Sequence, residues 1–315
     1  MTLATPIILG PWGTPVRDAG TGGNATPTVY MTSGNATPCV LVASGPGLAI
    51  TLPTITTDAA TTAWVNAVIA NGGSVSTLQQ FRVNMLITQL KAAGAWTAMD
   101  DAWLLVSESA IQALTSLKQL RLAVATNSPV FTAGQGYAFD GATNFINTGF
   151  IPITHAVSMT ASNNRASVYE GTNVSATTAA AGVTQATSRV IVIIPQATSP
   201  AFALLSANVT GGTFALPVAD SRGLISVSRN GPDATTVAAY KNGVALVRTA
   251  DPTGFGATLP TNAIYIGGRN AAGVLQVPRA ATERWVSIGA SLTAAQEMGE
   301  FLAVQTYMSS WGANA

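Results

Sequence analysis

From Ala125 to Ala315 the chain keeps one rhythm: short runs rich in β-branched and aromatic residues, separated by Gly, Asn and Pro. The runs are Ala156–Ala161, Val190–Ile194, Leu224–Arg229, Val237–Tyr240, Val244–Arg248, Ala263–Ile266 and Arg284–Ile288. Many short strands with turn signals at this spacing specify an antiparallel sandwich or barrel. The clearest hairpin is Ala238 to Leu246, where Asn242-Gly243 accepts the positive φ values of a type I′ turn. The rhythm ends in a helix over Leu292 to Met308, with Leu292, Met298, Phe301, Leu302 and Tyr307 mostly on one face and Ser291 or Thr293 as cap. This helix is expected to pack on the sandwich and close its edge.

Two regions precede the sandwich. Residues 61–124 read as a helical connector. Leu78, Phe81, Met85, Leu86 and Leu90 fall at helical spacing, Ser76 or Thr77 caps the start and Gly94 ends the run. A second helix is expected from Ser107 to Leu117, and Trp96 and Trp103 as core or interface anchors. Residues 1–60 carry seven prolines from Pro6 to Pro53, which forbid a long helix. They read as a β-rich attachment arm with short strands at 28–31 and 39–42, each after a copy of Asn-Ala-Thr-Pro. The two Asn-Ala-Thr sequons have little weight without a secretory route.

Charge narrows the function. Asp, Glu, Lys and Arg make up 9% of the chain, against roughly 25% in an ordinary soluble domain. Hydrophobic residues are 48%, so the low charge does not signal disorder. A neutral, Thr- and Ala-rich surface repels its neighbours weakly, which suits a subunit that packs against copies of itself. With a net charge of +1 and scattered Lys and Arg, no basic stripe serves nucleic acid. No segment reads as a membrane span, and the N-terminus lacks the basic and apolar regions of a secretory signal. Release by lysis, within a virion, is one exit that remains. Cys39, the only cysteine, excludes an intrachain disulfide and reads as a small buried hydrophobe, with an intermolecular disulfide as the minority alternative.

Several motifs in order resemble a family. Asn127 to Ala133 leads into Gly136-Tyr137-Ala138-Phe139-Asp140-Gly141, then Asn144 to Phe150. Tyr240-Lys241-Asn242-Gly243, Tyr265-Ile266-Gly267-Gly268-Arg269 and Arg284-Trp285-Val286-Ser287-Ile288-Gly289 follow, and upstream lie Leu86 to Trp96 with Met99-Asp100. Together, over roughly residues 78–312, they resemble the concanavalin A-like (laminin-G-like) domain of phage and prophage structural proteins. The resemblance implies a mainly β fold: a concanavalin A-like antiparallel β-sandwich (jelly roll) over 125–315, behind a short helical region and an N-terminal β-rich arm. It also implies a virion location, as a capsid decoration, head fibre or tail appendage, with other virion proteins and copies of itself as partners. The alternative is a module for a host receptor or host surface glycan, since fold alone does not decide function.

Catalysis is not expected. His155 is the only histidine, its neighbours read as the start of a strand, and no Gly-x-Ser-x-Gly elbow exists. One His and one Cys cannot build a histidine-rich metal site, and no cofactor motif is present. Glycoside hydrolysis needs two carboxylates about 5 to 9 Å apart. The sandwich acids are Asp140, Glu170, Asp220, Asp233, Asp251, Glu283, Glu297 and Glu300. Only Glu297 and Glu300 are close in sequence, and they are expected on the exposed side of the closing helix; a pair assembled from distant strands is the remaining route. Asp140 with Asn144 and Asn147, or Asp220, could offer oxygens to calcium, but both read better as turn residues. The aromatics available to a glycan are Tyr169, Tyr240, Tyr265 and Trp285, the last reading better as core.

Overall fold

The computed structural model describes residues 57–186, 188–197 and 202–313. The arm expected at 1–60, its strands and Cys39 lie outside the described residues, apart from the last four positions of that range. Residues 56–315 form a single compact unit. In chain order it opens with α1 (Ala59–Ala70), α2 (Thr77–Ala92), α3 (Ala95–Ala98), β1 (Met99–Leu104) and α4 (Ala110–Leu114). Next come β2 (Val124–Thr126), β3 (Val130–Thr132), β4 (Gly136–Ala138), β5 (Phe145–Asn147), α5 (Pro152–His155), β6 (Asn163–Glu170), β7 (Ala181–Ala186) and β8 (Arg189–Ile194). Then follow β9 (Phe202–Ala207), β10 (Val209–Thr210), β11 (Gly212–Ala215), β12 (Gly223–Asn230), β13 (Val237–Lys241), β14 (Val244–Ala245), β15 (Val247–Ala250) and β16 (Thr253–Phe255). The last elements are β17 (Tyr265–Ile266), β18 (Arg269–Ala271), β19 (Val274–Gln276), β20 (Thr282–Gly289) and α6 (Ala294–Ser309).

The strands build an antiparallel β-sandwich, as expected. One sheet runs β14-β13-β12-β6-β20-β4-β3, with β1 also on β20. The other runs β15-β11-β9-β8-β7-β17-β5-β2, with the β18–β19 hairpin joined in parallel to β7. β10 and β16 form a small ribbon. In the first sheet, alternate residues serve two cores. Ala166, Val168, Ile225, Val227, Val286 and Ile288 pack against the second sheet. Tyr169, Leu224 and Trp285 pack on the opposite side with Trp64, Leu86, Val304 and Tyr307 of the helices. The result is three layers: helices, sheet, sheet. Cover on both faces explains why β1, β6, β12 and β20 are buried almost throughout instead of alternating.

Local chemistry places the helices where the sequence puts them. The Ser76 side chain accepts the Gln79 N–H at the start of α2, and Gly94 at φ 73° stops the run in the left-handed region. Thr293 and Gln296 form a capping box at α6. Gln296 also donates to Gly94 O (3.3 Å), and Tyr307 of α6 accepts from the Gln79 side-chain amide and donates to Val106 O, which ties α6 to α2. The hairpin turn is also as expected, with Asn242 at φ 52° and Gly243 at 76°.

Four expectations are corrected. The region 61–124 is no separate connector: β1 pairs with β20 inside the first sheet, and the helices share one core with that sheet. No boundary therefore falls near Ala125. The helix expected from Ser107 to Leu117 shrinks to Ala110–Leu114, because Thr115 bridges Leu122 and the Leu117 N–H donates to Ala102 O of β1. His155 ends the short helix α5 instead of starting a strand, its Nδ1 accepting the Ile151 N–H (2.8 Å). Ala156–Ala161 is not a strand either. The Asp100 carboxylate accepts the N–H groups of Val157, Ser158 and Met159 at 2.6–3.0 Å, which removes the donors a ladder needs. That grip is the physical content of the Met99-Asp100 motif. Asp100→Ala leaves three backbone donors without their acceptor and is expected to cost about 3 kcal/mol in urea unfolding, with Asp100→Asn costing less.

Candidate functional site: a polar sheet face beneath the closing helix

Three of the four aromatics proposed for glycan contact are on the outer face of the first sheet. Tyr169, Tyr240 and Trp285 sit on β6, β13 and β20, on the side of Leu224 and Ser226. The face is closed. Trp285 and Tyr169 are buried against the helices, and Tyr240 alone stays half-exposed. Tyr265 is in the second sheet, buried and stacked on Phe145 at 4.3 Å between ring centroids. Tyr169 and Trp285 belong to the core shared with the helices and Tyr265 is buried against Phe145, so none of the three presents the open stacking face expected of it.

The same face carries a polar plate from alternate positions: Arg165 and Ser167 on β6, Ser226 and Ser228 on β12, Ser287 on β20. Glu297 and Glu300 of α6 point into it and are buried, not exposed as their sequence spacing suggests. Arg165 grips Glu297 with two parallel bonds, Nε–Oε1 at 2.7 Å and Nη2–Oε2 at 2.8 Å, and also pairs with Glu300. Ser226 and Ser228 donate to Glu297 at 2.7 and 2.9 Å. Ser287 and the Trp285 indole N–H donate to Glu300 Oε1 at 2.8 and 3.2 Å, with Ser167 alongside. Burial opposes the charged guanidinium of Arg165, but the two glutamates outweigh it and hold the group above its ordinary range. Two carboxylates meeting one guanidinium would be costly without the hydroxyls, which supply the missing donors. In this closed geometry the arrangement docks α6 and offers nothing to solvent.

A second acid pair joins distant strands. Glu170 and Glu283 are register partners on β6 and β20, both buried, with Arg279 paired to Glu170 at 2.6 Å. The remaining acids behave as turn residues. Asp140 accepts the N–H groups of Ala142, Thr143 and Asn144, which holds its carboxyl down to about 2. Asp220 pairs with Arg222. Among the described residues no three His, Cys, Asp or Glu side chains cluster as metal ligands, and no helix is long and apolar enough to cross a membrane. A cavity between the sheets, lined by Trp103, Ile191, Ile264 and Val286, measures about 10 Å³, room for one water at most.

What does reach solvent is the sheet edge. β14 and β3 flank the first sheet; β15 and β2 flank the second. Val244, Val247, Val130 and Val124 on these strands are all more than half exposed. Sequence reasoning named the aromatics and the Glu297–Glu300 pair, set that pair on the wrong side of its helix, and missed Arg165, Arg279 and the meeting of Glu170 with Glu283. The available signal was the recurrence of Arg165, Ser167, Ser226, Ser228 and Ser287 at alternate positions of β6, β12 and β20, which marks a face with a polar partner.

No family model matches this chain, and no curated protein matches it. Solved structures match weakly. Domain 4 of AbnA, a GH43 extracellular arabinanase from Geobacillus stearothermophilus solved with arabinotriose, is 14% identical over 64% of this chain and 98% of its own, with a TM-score of 0.39. The Trypanosoma rangeli sialidase solved with 2,3-difluorosialic acid is 15% identical over 65% of this chain and 33% of its own, at 0.36. The CBM40 of the Ruminococcus gnavus IT-sialidase, bound to α2,3 sialyllactose, is 11% identical over 46% of this chain and 82% of its own, at 0.27. The chain thus spans about a third of the sialidase. Likenesses of this strength carry no argument about what this chain binds.

Proposed function

We propose that the chain is a non-enzymatic structural subunit of a bacteriophage particle, as a capsid decoration, head fibre or tail appendage, and that it packs against copies of itself and other virion proteins. One observation supports it most: the edge strands β2, β3 and β14 carry no charged residue and present Val124, Val130 and Val244 to solvent, and on β15 the one charge, Arg248, is paired with Asp251 beside exposed Val247. Natural proteins that stay monomeric blunt such edges with charge. The low charge of the whole surface works in the same direction. The family resemblance supplies the virion setting, and it rests on the motifs alone. Purified particles should carry the chain at fixed copy number, and the isolated chain should self-associate in light scattering. Val130→Lys and Val247→Lys should each reduce that association at least tenfold. A chain that stays monomeric at high concentration and is missing from particles would overturn the reading.

The second reading is a glycan-binding module, favoured by Tyr240, the one half-exposed member of the aromatic set, at the rim of the polar face. A glycan array probed with the full chain separates the two. Binding that Tyr240→Ala abolishes would favour the module, and no binding to any host polymer would remove it.

A further inference from the structure

Glu283 lies fully buried with neither carboxylate oxygen hydrogen-bonded. Its register partner Glu170 has everything Glu283 lacks: Arg279 at 2.6 and 2.8 Å and the Ser221 hydroxyl at 2.6 Å. Burial first, then the nearby Glu170, push the Glu283 carboxyl well above the usual carboxylate range, against the pull of Arg279. Other groups face the pair. Lys241 on β13 donates to Ser221 O (2.8 Å), and burial brings its ammonium down to about 8. Tyr137 on β4 stands opposite Glu283 in register, its phenol pushed up to about 12 by burial. Asp220 and Arg222 pair with each other, and Arg284 lies against Gly171.

Arg279 does a second thing. Its guanidinium donates to Val174 O (2.8 Å), Ala176 O (3.2 Å) and Thr178 O (3.1 Å), three carbonyls of the strap 171–180 that joins β6 to β7. The Ser221 hydroxyl accepts the Val174 N–H at 2.8 Å, which adds a further tie. The same guanidinium therefore holds the acid and the strap together.

We propose that Glu283 is a proton-controlled latch: protonated, it leaves Arg279 to Glu170 and to the strap carbonyls; ionised, it competes for Arg279 and releases the strap. The sign follows from linkage. In the open form Glu283 meets water and titrates near its ordinary value. Burial raises the Glu170 carboxyl too, so opening releases a proton from the Glu170–Glu283 pair between that value and the raised one of the closed form. The closed state is fully favoured below the lower value and is lost as pH rises toward the upper. Across that window the opening constant rises about tenfold per pH unit and then levels off.

Hydrogen exchange of the full chain, read on peptides from 171–180 between pH 5 and 9 and corrected for intrinsic exchange, tests this. The strap should lose protection about tenfold per pH unit over part of that range, with α2 peptides as the unchanging reference. Glu283→Gln, which cannot ionise, should hold the strap closed throughout. Strap protection independent of pH, or the same pH dependence in Glu283→Gln, would overturn the latch. If Glu283→Gln does not fold, infrared spectroscopy of the wild-type chain decides. A protonated-carboxyl band that fades in step with strap opening supports the latch, and no such band at the acid end of the range overturns it.

Discussion

Arg165→Met should lower the stability of the chain by about 3–5 kcal/mol, the range expected when one member of a buried ion pair is removed. The side chain it deletes is buried and donates to Glu297 twice, to Ser287 once and to Glu300. Without it, Glu297 and Glu300 sit as two carboxylates beneath α6 with only hydroxyl and indole donors around them. The loss should come from stranded charge and not from missing packing, since Met fills most of the vacated volume. Adding Glu297→Gln and Glu300→Gln to Arg165→Met should therefore recover more than half of the loss, and the cycle should show strong coupling. Urea midpoints measure both. The Trp285 indole donates to Glu300, so its fluorescence reports whether α6 has lifted. If Arg165→Met costs under about 1 kcal/mol, α6 is held by Ala303, Val304, Tyr307 and Met308 alone and the polar plate is incidental.

That plate marks the limit of what the sequence could show. Turns and caps are local, and the chain states them locally. Asn242-Gly243, Ser76, Gly94 and the Thr293–Gln296 box all stand where short-range chemistry puts them. Gly267 of the Tyr-Ile-Gly-Gly motif is different: a Cβ there would enter the ring of Phe139, a partner distant in the chain. Which face of a strand meets which layer is set by partners more than a hundred residues away. Arg165 and Ser167 look solvent-facing until Glu297 and Glu300 are laid over them. Two glutamates three apart on a helix look like its wet side for the same reason. Of the four aromatics, Tyr169 and Trp285 became core because their sheet is covered on both faces, Tyr265 is buried against Phe145 in the other sheet, and Tyr240 stays half-exposed. Ala156–Ala161 failed differently: its β-propensity was overridden by one carboxylate, Asp100, on a strand whose six residues MDDAWL do not alternate.

Gly289→Ala should be strongly damaging, at about 3 kcal/mol or more. Gly289 ends β20 opposite Met99, at the bulge where β1 joins the sheet. A Cβ on it would overlap Ala98 O and fall 2.7 Å from the Met99 Cα and 2.8 Å from the Asp100 nitrogen. All three are backbone atoms, so no side chain can swing aside. Relief requires β1 to move off β20, and β1 carries Asp100, whose carboxylate holds residues 157–159. The damage should therefore travel: exchange protection should fall over 99–104 and over 157–159 together. Gly211→Ala is the matched control. Its added methyl would meet only side chains at ordinary contact distance, Leu204 at 3.4 Å and the Ser206 hydroxyl at 3.8 Å, and its cost should stay within about 0.5 kcal/mol. Equal midpoints for the two variants in urea would mean that β1 can slide on β20 without loss, and the close approach of these two strands would then not be what joins the helical layer to the sandwich.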